Sequence, residues 1–203
     1  MRPWWRTVLP ELVNTESTYN VFTNGLSINN TGLNPPRPDL ADATVLHFRY
    51  YLKFPVGHPW GMGGKLPGLF GGTEGGESGF NSTGSSFSTR YMWRTSSAVG
   101  EVYEYSKCST EKDLVGNWDF QADGKWHYIE QAVDRSGLGT VTVWYDGTQV
   151  LSASLGRASI STQPFGGIFF STFYGGHASD WGPSSNTDAE FADFELSTNY
   201  IGP

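Results

Sequence analysis

The sequence predicts an all-β fold, a two-layer β-sandwich with one curved, concave sheet, and three observations carry that prediction. Aromatic residues make up 15% of the chain and charged residues only 16%. Glycine (26) and proline (11) punctuate it at short intervals. Apolar residues recur with a period of 2, whereas a helical period is nearly absent, leaving room for one short helical turn between Asp39 and Thr44. Short alternating segments parted by turn formers are the pattern of a sandwich or barrel. The 203 residues fit one domain, 1–203, and suffice to bury a core without disulfides. So much aromatic surface also excludes a disordered chain.

The elements follow in order. Thr44 to Phe54 (TVLHFRYYLKF) is the clearest strand, with Leu46, Phe48, Tyr50, Leu52 and Phe54 on one face and His47, Arg49, Tyr51 and Lys53 on the other. Gly61 to Gly76 is rich in glycine and reads as a loop. Phe87 to Arg94 (FSTRYMWR) is a second strand, with Phe87, Thr89, Tyr91 and Trp93 opposite Ser88, Arg90, Met92 and Arg94. Glu101 to Lys107 (EVYEYSK) aligns Glu101, Tyr103, Tyr105 and Lys107, and a hairpin through Ser96 to Gly100 joins it to the strand before. Trp126 to Val133, Thr140 to Tyr145 and Gln149 to Leu155 come next, with Asp146-Gly147 as a hairpin turn. The side of Gln131 stays open, since Ile129 and Val133 share its parity. Ile168 to Tyr174 reads as a central strand, Gly175 to Asn186 as a loop, and Glu190 to Leu196 as the strand that closes the sheet.

The net charge is −7, and the basic residues are dispersed. Phosphate contacts need concentrated Lys and Arg, so the chain is expected to bind no nucleic acid. It has no basic amphipathic stretch and no long apolar run, so no membrane partner is expected. Met1 to Leu9, interrupted by Pro and Trp, lacks the apolar centre of a signal peptide. The one cysteine, Cys108, reads as a buried inert thiol. Two sequons, at Asn29 and Asn81, matter only in a glycosylating host. No metal-ligand spacing appears, so neither metal nor cofactor is expected.

Several side chains can carry chemistry. His58 to Gly72 (HPWGMGGKLPGLFGG) surrounds Lys65 with six glycines. Arg90 and Arg94 share a strand face about 13 Å apart and invite an anion, which Arg binds bidentately. Tyr103 and Tyr105 point the same way on the neighbouring strand. Cations and tyrosines together suit elimination on a uronate polymer. The proton α to the sugar carboxylate, at C5, leaves first, and the C4–O bond then breaks. Cations on the carboxylate stabilise the enolate-like dianion. A tyrosine whose pKa is lowered by cations can take the proton, and the same or a second tyrosine can protonate the leaving oxygen.

These motifs also resemble a known family. The runs GGKLPGLFGG, FSTRYMWR, GEVYEY and STFYGGHASDWGP with FADFELS, from Val45 to Leu196, resemble polysaccharide lyase family 14, the alginate lyase family of viruses and molluscs. They are also similar to the glucuronan lyases of family 20. The resemblance implies a jelly-roll sandwich of the concanavalin type and a secreted lyase acting as a monomer on an anionic polysaccharide. It places the catalytic lysine at Lys65, the Ser and Arg two apart at Ser88 and Arg90, and the paired tyrosines at Tyr103 and Tyr105, with the acid/base role open between the two. His58, Arg94 and His177 join Ser88 as expected substrate-binding residues on local chemistry.

Two other classes compete. A carbohydrate-binding module on the same sandwich would use Trp60 and Trp181 for stacking and need no base. A glycoside hydrolase needs two carboxylates about 5–10 Å apart on one face. Glu101 and Glu104 have opposite parity, and Asp188 and Glu190 lie near the far end of the chain.

Overall fold

The structure, a computed structural model, describes residues 5–9, 16–19, 38–72, 86–95, 97–107, 110–156, 158–175 and 181–203. Its strands are β1 (Trp5–Leu9), β2 (Glu16–Tyr19), β3 (Val45–Lys53), β4 (Gly63–Gly72), β5 (Ser86–Arg94), β6 (Val99–Lys107), β7 (Thr110–Asp119), β8 (His127–Asp134), β9 (Thr140–Tyr145), β10 (Thr148–Ser154), β11 (Phe165–Ser171), β12 (Phe173–Tyr174) and β13 (Thr187–Ser197). The one-turn helix α1 (Pro38–Ala41) precedes β3, as the sequence suggests. Among the described residues no helix is long and apolar enough to cross a membrane.

Two antiparallel sheets pack face to face as a jelly-roll sandwich. One runs β1-β13-β3-β8-β9-β10 and the other β2-β11-β4-β5-β6-β7, with β12 also on β4. Alternation decides which side chains fill the space between them. Leu46, Phe48, Tyr50 and Leu52 from β3, with Phe54 just after it, meet Phe87, Tyr91, Trp93 and Val102 from β5 and β6, all buried. The Asp146-Gly147 turn is the expected hairpin, both residues at positive φ (47° and 82°).

Several expectations change. Most of the glycine-rich stretch read as a loop, Gly63–Gly72, is β4, an interior strand flanked by β11 and β5, while its residues 73–76 lie outside the described residues. Its glycines are not there for flexibility. A side chain on Gly68 would overlap the Thr89 carbonyl and the Arg90 Cα of β5, so the two backbones approach only because Gly68 has none. Pro67 falls where the β4–β5 register shifts, between Leu66 and Leu69, so its missing N–H costs no regular ladder bond. Gly100, expected in the hairpin turn, lies inside β6 opposite Trp93, and the Trp118 ring of β7 fills the space a side chain would take. Thr95 and Ala98 are both at positive φ, and the Ala98 N–H donates to the Thr95 carbonyl (3.0 Å) ahead of β6.

The expected strand 168–174 divides into β11 and β12, and β11 lies one place in from the edge, beside β2. β13 does not close its sheet, because β1 pairs outside it. β1, β2 and β7 went unrecognised as strands. Cys108, His177 and both sequons lie outside the described residues.

Two polar links tie the sheets together behind β4 and β5. The Tyr50 hydroxyl donates to the Pro67 carbonyl at the β4 bulge (3.2 Å). Gln131 Nε2 donates to the Thr89 carbonyl (3.0 Å), and the Thr89 hydroxyl donates to Gln131 Oε1 (2.5 Å). This settles the side of Gln131: it faces the core and is fully buried. Such satisfied buried polar groups fix one register where purely apolar contacts would tolerate sliding.

Gly68→Ala forces the β4 and β5 backbones apart. It should destabilise the protein by about 1–3 kcal/mol, read as a lower urea midpoint at unchanged m-value; an unchanged midpoint would contradict this account of β4.

Candidate active site

The face of the β2-to-β7 sheet turned away from the core carries a second, smaller cluster: Met92, Tyr103 and Tyr105, with Trp181 packed against it. Strand register builds it in rows. Lys65 of β4 stands opposite Met92 of β5, which stands opposite Glu101 of β6. In the next row Arg90 pairs with Tyr103, and Tyr103 with Asp113 of β7. In the third, Ser88 pairs with Tyr105. Period-2 alternation therefore delivers Ser88, Arg90, Met92 and Arg94 to the same face as Glu101, Tyr103 and Tyr105.

The Lys65 amine leans along the sheet. Its Nζ lies 2.7 Å from the centroid of the Tyr103 ring and 3.0 Å from Met92 Sδ. The side chain is 6% exposed. The Arg90 guanidinium carbon lies 4.2 Å from the Phe169 ring centroid and 5.7 Å from that of Tyr105. Tyr103 and Tyr105 meet edge to face with ring centroids 5.1 Å apart. Arg94 Nε donates to Glu101 Oε1 (2.7 Å) and its Nη2 to Asp113 Oδ1 (3.1 Å), while its guanidinium carbon lies 5.3 Å from the Tyr103 ring centroid.

This packing sets the electrostatics. Burial, then the charges of Arg90 and Arg94, hold the Lys65 pKa well below the ordinary lysine value, while Glu101 and Asp113 pull it back up. Burial raises the Glu101 pKa, with Arg94 opposing. Burial works against the charge on Arg94, but Glu101 and Asp113 outweigh it and hold its pKa above the ordinary arginine value.

The sequence-derived candidates separate accordingly. Lys65, Arg90, Tyr103, Tyr105 and Ser88 come together on this face, Ser88 with no exposed surface. Arg94 joins them with its guanidinium engaged by two carboxylates. His58 does not join them. It packs in the core beside Phe54, Trp60, Trp93 and Tyr174, with Nδ1 bonded to the Thr187 hydroxyl (2.9 Å) and Nε2 to the Tyr174 hydroxyl (3.0 Å). Burial lowers its pKa to about 4, despite an opposing pull from Asp188. A substrate-binding role for His58 is thus replaced by a structural one. His177 lies outside the described residues. Glu101 was legible by parity but not as a site residue, and Asp113 lies on the unrecognised strand β7. The sequence offers Trp181 only as a stacking residue of the carbohydrate-binding alternative, and Phe169 gives no signal that could place it here. Among the described residues no group of three or more His, Cys, Asp or Glu side chains is placed to hold a metal ion.

The sequence pattern of polysaccharide lyase family 14 matches residues 14–194. The chain belongs to that family. No curated protein matches it in sequence. Its fold is shared with a marine family 14 alginate lyase from Aplysia kurodai, at 24% identity and a TM-score of 0.68 over 91% of this chain and 81% of that one. It is shared too with an alginate lyase from a Chlorella virus (19%, 0.62, 94% and 90%) and an endo-β-1,4-glucuronan lyase from the fungus Trichoderma reesei (10%, 0.51, 76% and 68%). At these identities the likeness speaks for the fold, and the family match for a polysaccharide lyase.

The buried amine of this lyase weakens its fold. Lys65 has a lower pKa folded than unfolded, so the folded state must either bury a charge or give up a proton that the unfolded chain keeps. That penalty is full below the folded pKa and fades as pH rises towards the ordinary lysine range. Lys65→Met should therefore melt at a higher temperature than the wild type at neutral pH, with the gap narrowing towards pH 10. Thermal melts that show no gain at neutral pH would contradict the burial described here.

Proposed function

We propose that this lyase cleaves a 1,4-linked polyuronate, a glucuronan or an alginate-type polymannuronate, by β-elimination, with Lys65 as the proton acceptor. The observation that carries this reading is the Lys65 amine, buried between Met92 and Tyr103 beside two guanidiniums. A neutral amine is a base; an ammonium is not. Surroundings that lower its pKa make the neutral amine, the form able to accept a proton from a weak carbon acid, more accessible than in an exposed lysine.

The roles then divide among named groups. Arg90, stacked on Phe169 in a low-dielectric setting, supplies the charge that stabilises the uronate carboxylate as the C5–H bond breaks. The proton passes to Lys65 Nζ, its bonding electrons form C4=C5, and the C4–O4 bond breaks. O4 takes a proton from Tyr103 or Tyr105. The resulting ammonium and phenolate exchange a proton before the next turnover. The sequence pattern suits Lys65 to neutralising the carboxylate and a tyrosine to taking the proton; the burial of Lys65 favours Lys65 as the base, with neutralisation left to Arg90 and the tyrosine as the acid. A secreted protein is part of this reading.

A lectin-like role without chemistry loses one of its two stacking residues, since Trp60 is packed among Phe54, His58 and Trp93. A hydrolase reading rests on one observation, that Glu101 and Asp113 both reach Arg94 on this face.

An ultraviolet time course with glucuronan, polymannuronate, polyguluronate and a neutral glucan tests the reading. Absorbance from the C4=C5 bond conjugated to the carboxylate should rise on a uronate polymer alone. Lys65→Ala should lower kcat by about 10²–10⁴-fold with the far-ultraviolet circular dichroism unchanged. New reducing ends without absorbance would transfer the chemistry to Glu101 and Asp113, and binding with neither signal would leave a carbohydrate-binding module. The pH profile checks the base separately. Activity limited by a neutral Lys65 rises with pH through the depressed Lys65 pKa, whereas a Lys65 acting as a cation would make it fall there.

A further inference from the structure

We propose that Arg94, expected from sequence to bind substrate, instead forms with Glu101 and Asp113 a positioning unit that sets the electrostatic field at the Lys65 amine. This deepens the reading of Lys65 as the base and rests on it.

The geometry comes first. Arg94 has its Nε on a carboxylate whose side chain is 2% exposed, and its Nη2 on one that is 47% exposed. The guanidinium is therefore held from two strands, β6 and β7, by groups that leave it little freedom to turn to a ligand. It lies near the Tyr103 ring, whose face carries the Lys65 amine. Among the described residues, the charged and titratable groups around that amine are Arg90 and Arg94 on β5, Glu101, Tyr103 and Tyr105 on β6, and Asp113 on β7.

The signs then follow from Coulomb's law in a poorly solvated patch. Arg90 and Arg94 disfavour a charged Lys65, and Glu101 and Asp113 favour it. Without the carboxylates, Arg90 and Arg94 would act on the amine without the opposing pull of Glu101 and Asp113, and it would give up its proton more readily. Without Arg94, Glu101 and Asp113 would be opposed by burial and Arg90 alone, and the amine would hold its proton more tightly. The unit thus acts on Lys65 in two opposite senses, Arg94 towards losing the proton and the two carboxylates towards keeping it.

The test is a titration of the lysine ε-methylene groups by carbon-13 NMR in the whole protein, with Lys65 assigned by its loss in Lys65→Met. It is run on the wild type, Asp113→Asn, Glu101→Gln, Arg94→Gln and Asp113→Glu, alongside kcat/KM against pH. The Lys65 midpoint and the acid limb of kcat/KM should move to lower pH in Asp113→Asn and Glu101→Gln and to higher pH in Arg94→Gln. Asp113→Glu should restore the wild-type position. General loosening would move every variant towards the solvated lysine value, so opposite displacements are the signature. Should Glu101→Gln fail to fold, the more exposed Asp113→Asn decides. A Lys65 midpoint unmoved in Asp113→Asn and Arg94→Gln, or moved upward in both, overturns the proposal. The titration needs no turnover: a wild type inactive on every polyuronate with the displacements present would sink the lyase reading and leave the positioning unit standing.

Discussion

One buried amine organises this protein. A lysine side chain is among the most reluctant to leave water, because its ammonium loses a compact hydration shell. Here it is packed against a thioether and an aromatic face, neither of which replaces that shell in full. The surrounding sheet accommodates the strain in two ways. The cation–π contact with Tyr103 recovers part of the lost hydration. Burial, with Arg90 and Arg94 and against Glu101 and Asp113, pulls the amine towards giving up its proton.

Holding that amine in place depends on how closely β4 and β5 approach. Gly68 removes the side chain that would separate them, and the bulge around Pro67 re-aims β4 midway. On the core side, Tyr50 and Gln131 from the other sheet bond to the Pro67 and Thr89 backbone carbonyls. The face that carries Lys65 is thus backed directly by polar links across the sandwich. Regular strands, rather than loops, carry Lys65, Arg90, Tyr103 and Tyr105, and strands hold side-chain geometry more firmly than loops do.

Much of this was legible in the chain. The β3 strand alternates so regularly that its buried and outward faces could be assigned residue by residue, and the parity of β5 and β6 put Arg90, Tyr103 and Tyr105 on one face. What failed has physical causes. Glycine signals a loop when its conformational freedom is used and a close strand approach when its small size is used, and sequence does not distinguish the two; β4 was misread for that reason. β7 (TEKDLVGNWD) is polar along much of its length, so its alternation is weak, and Asp113 was lost with it. His58 looked like a cleft residue because it neighbours the Lys65 segment in sequence. Its placement is a tertiary matter, fixed by Thr187 and Tyr174 more than a hundred residues away. The direction of the Lys65 pKa likewise depends on burial and on charges from three other strands, which no local pattern encodes.

The most direct test of the central claim is a crystal structure of Lys65→Ala with an intact polyuronate oligosaccharide. The account predicts a uronate ring over Tyr103 and Tyr105, its carboxylate turned to Arg90, and its C5 within about 3.5 Å of the position the Lys65 Nζ occupies in the wild type. An oligosaccharide bound on the opposite sheet, or one on this face whose C5 points away from residue 65, would contradict it.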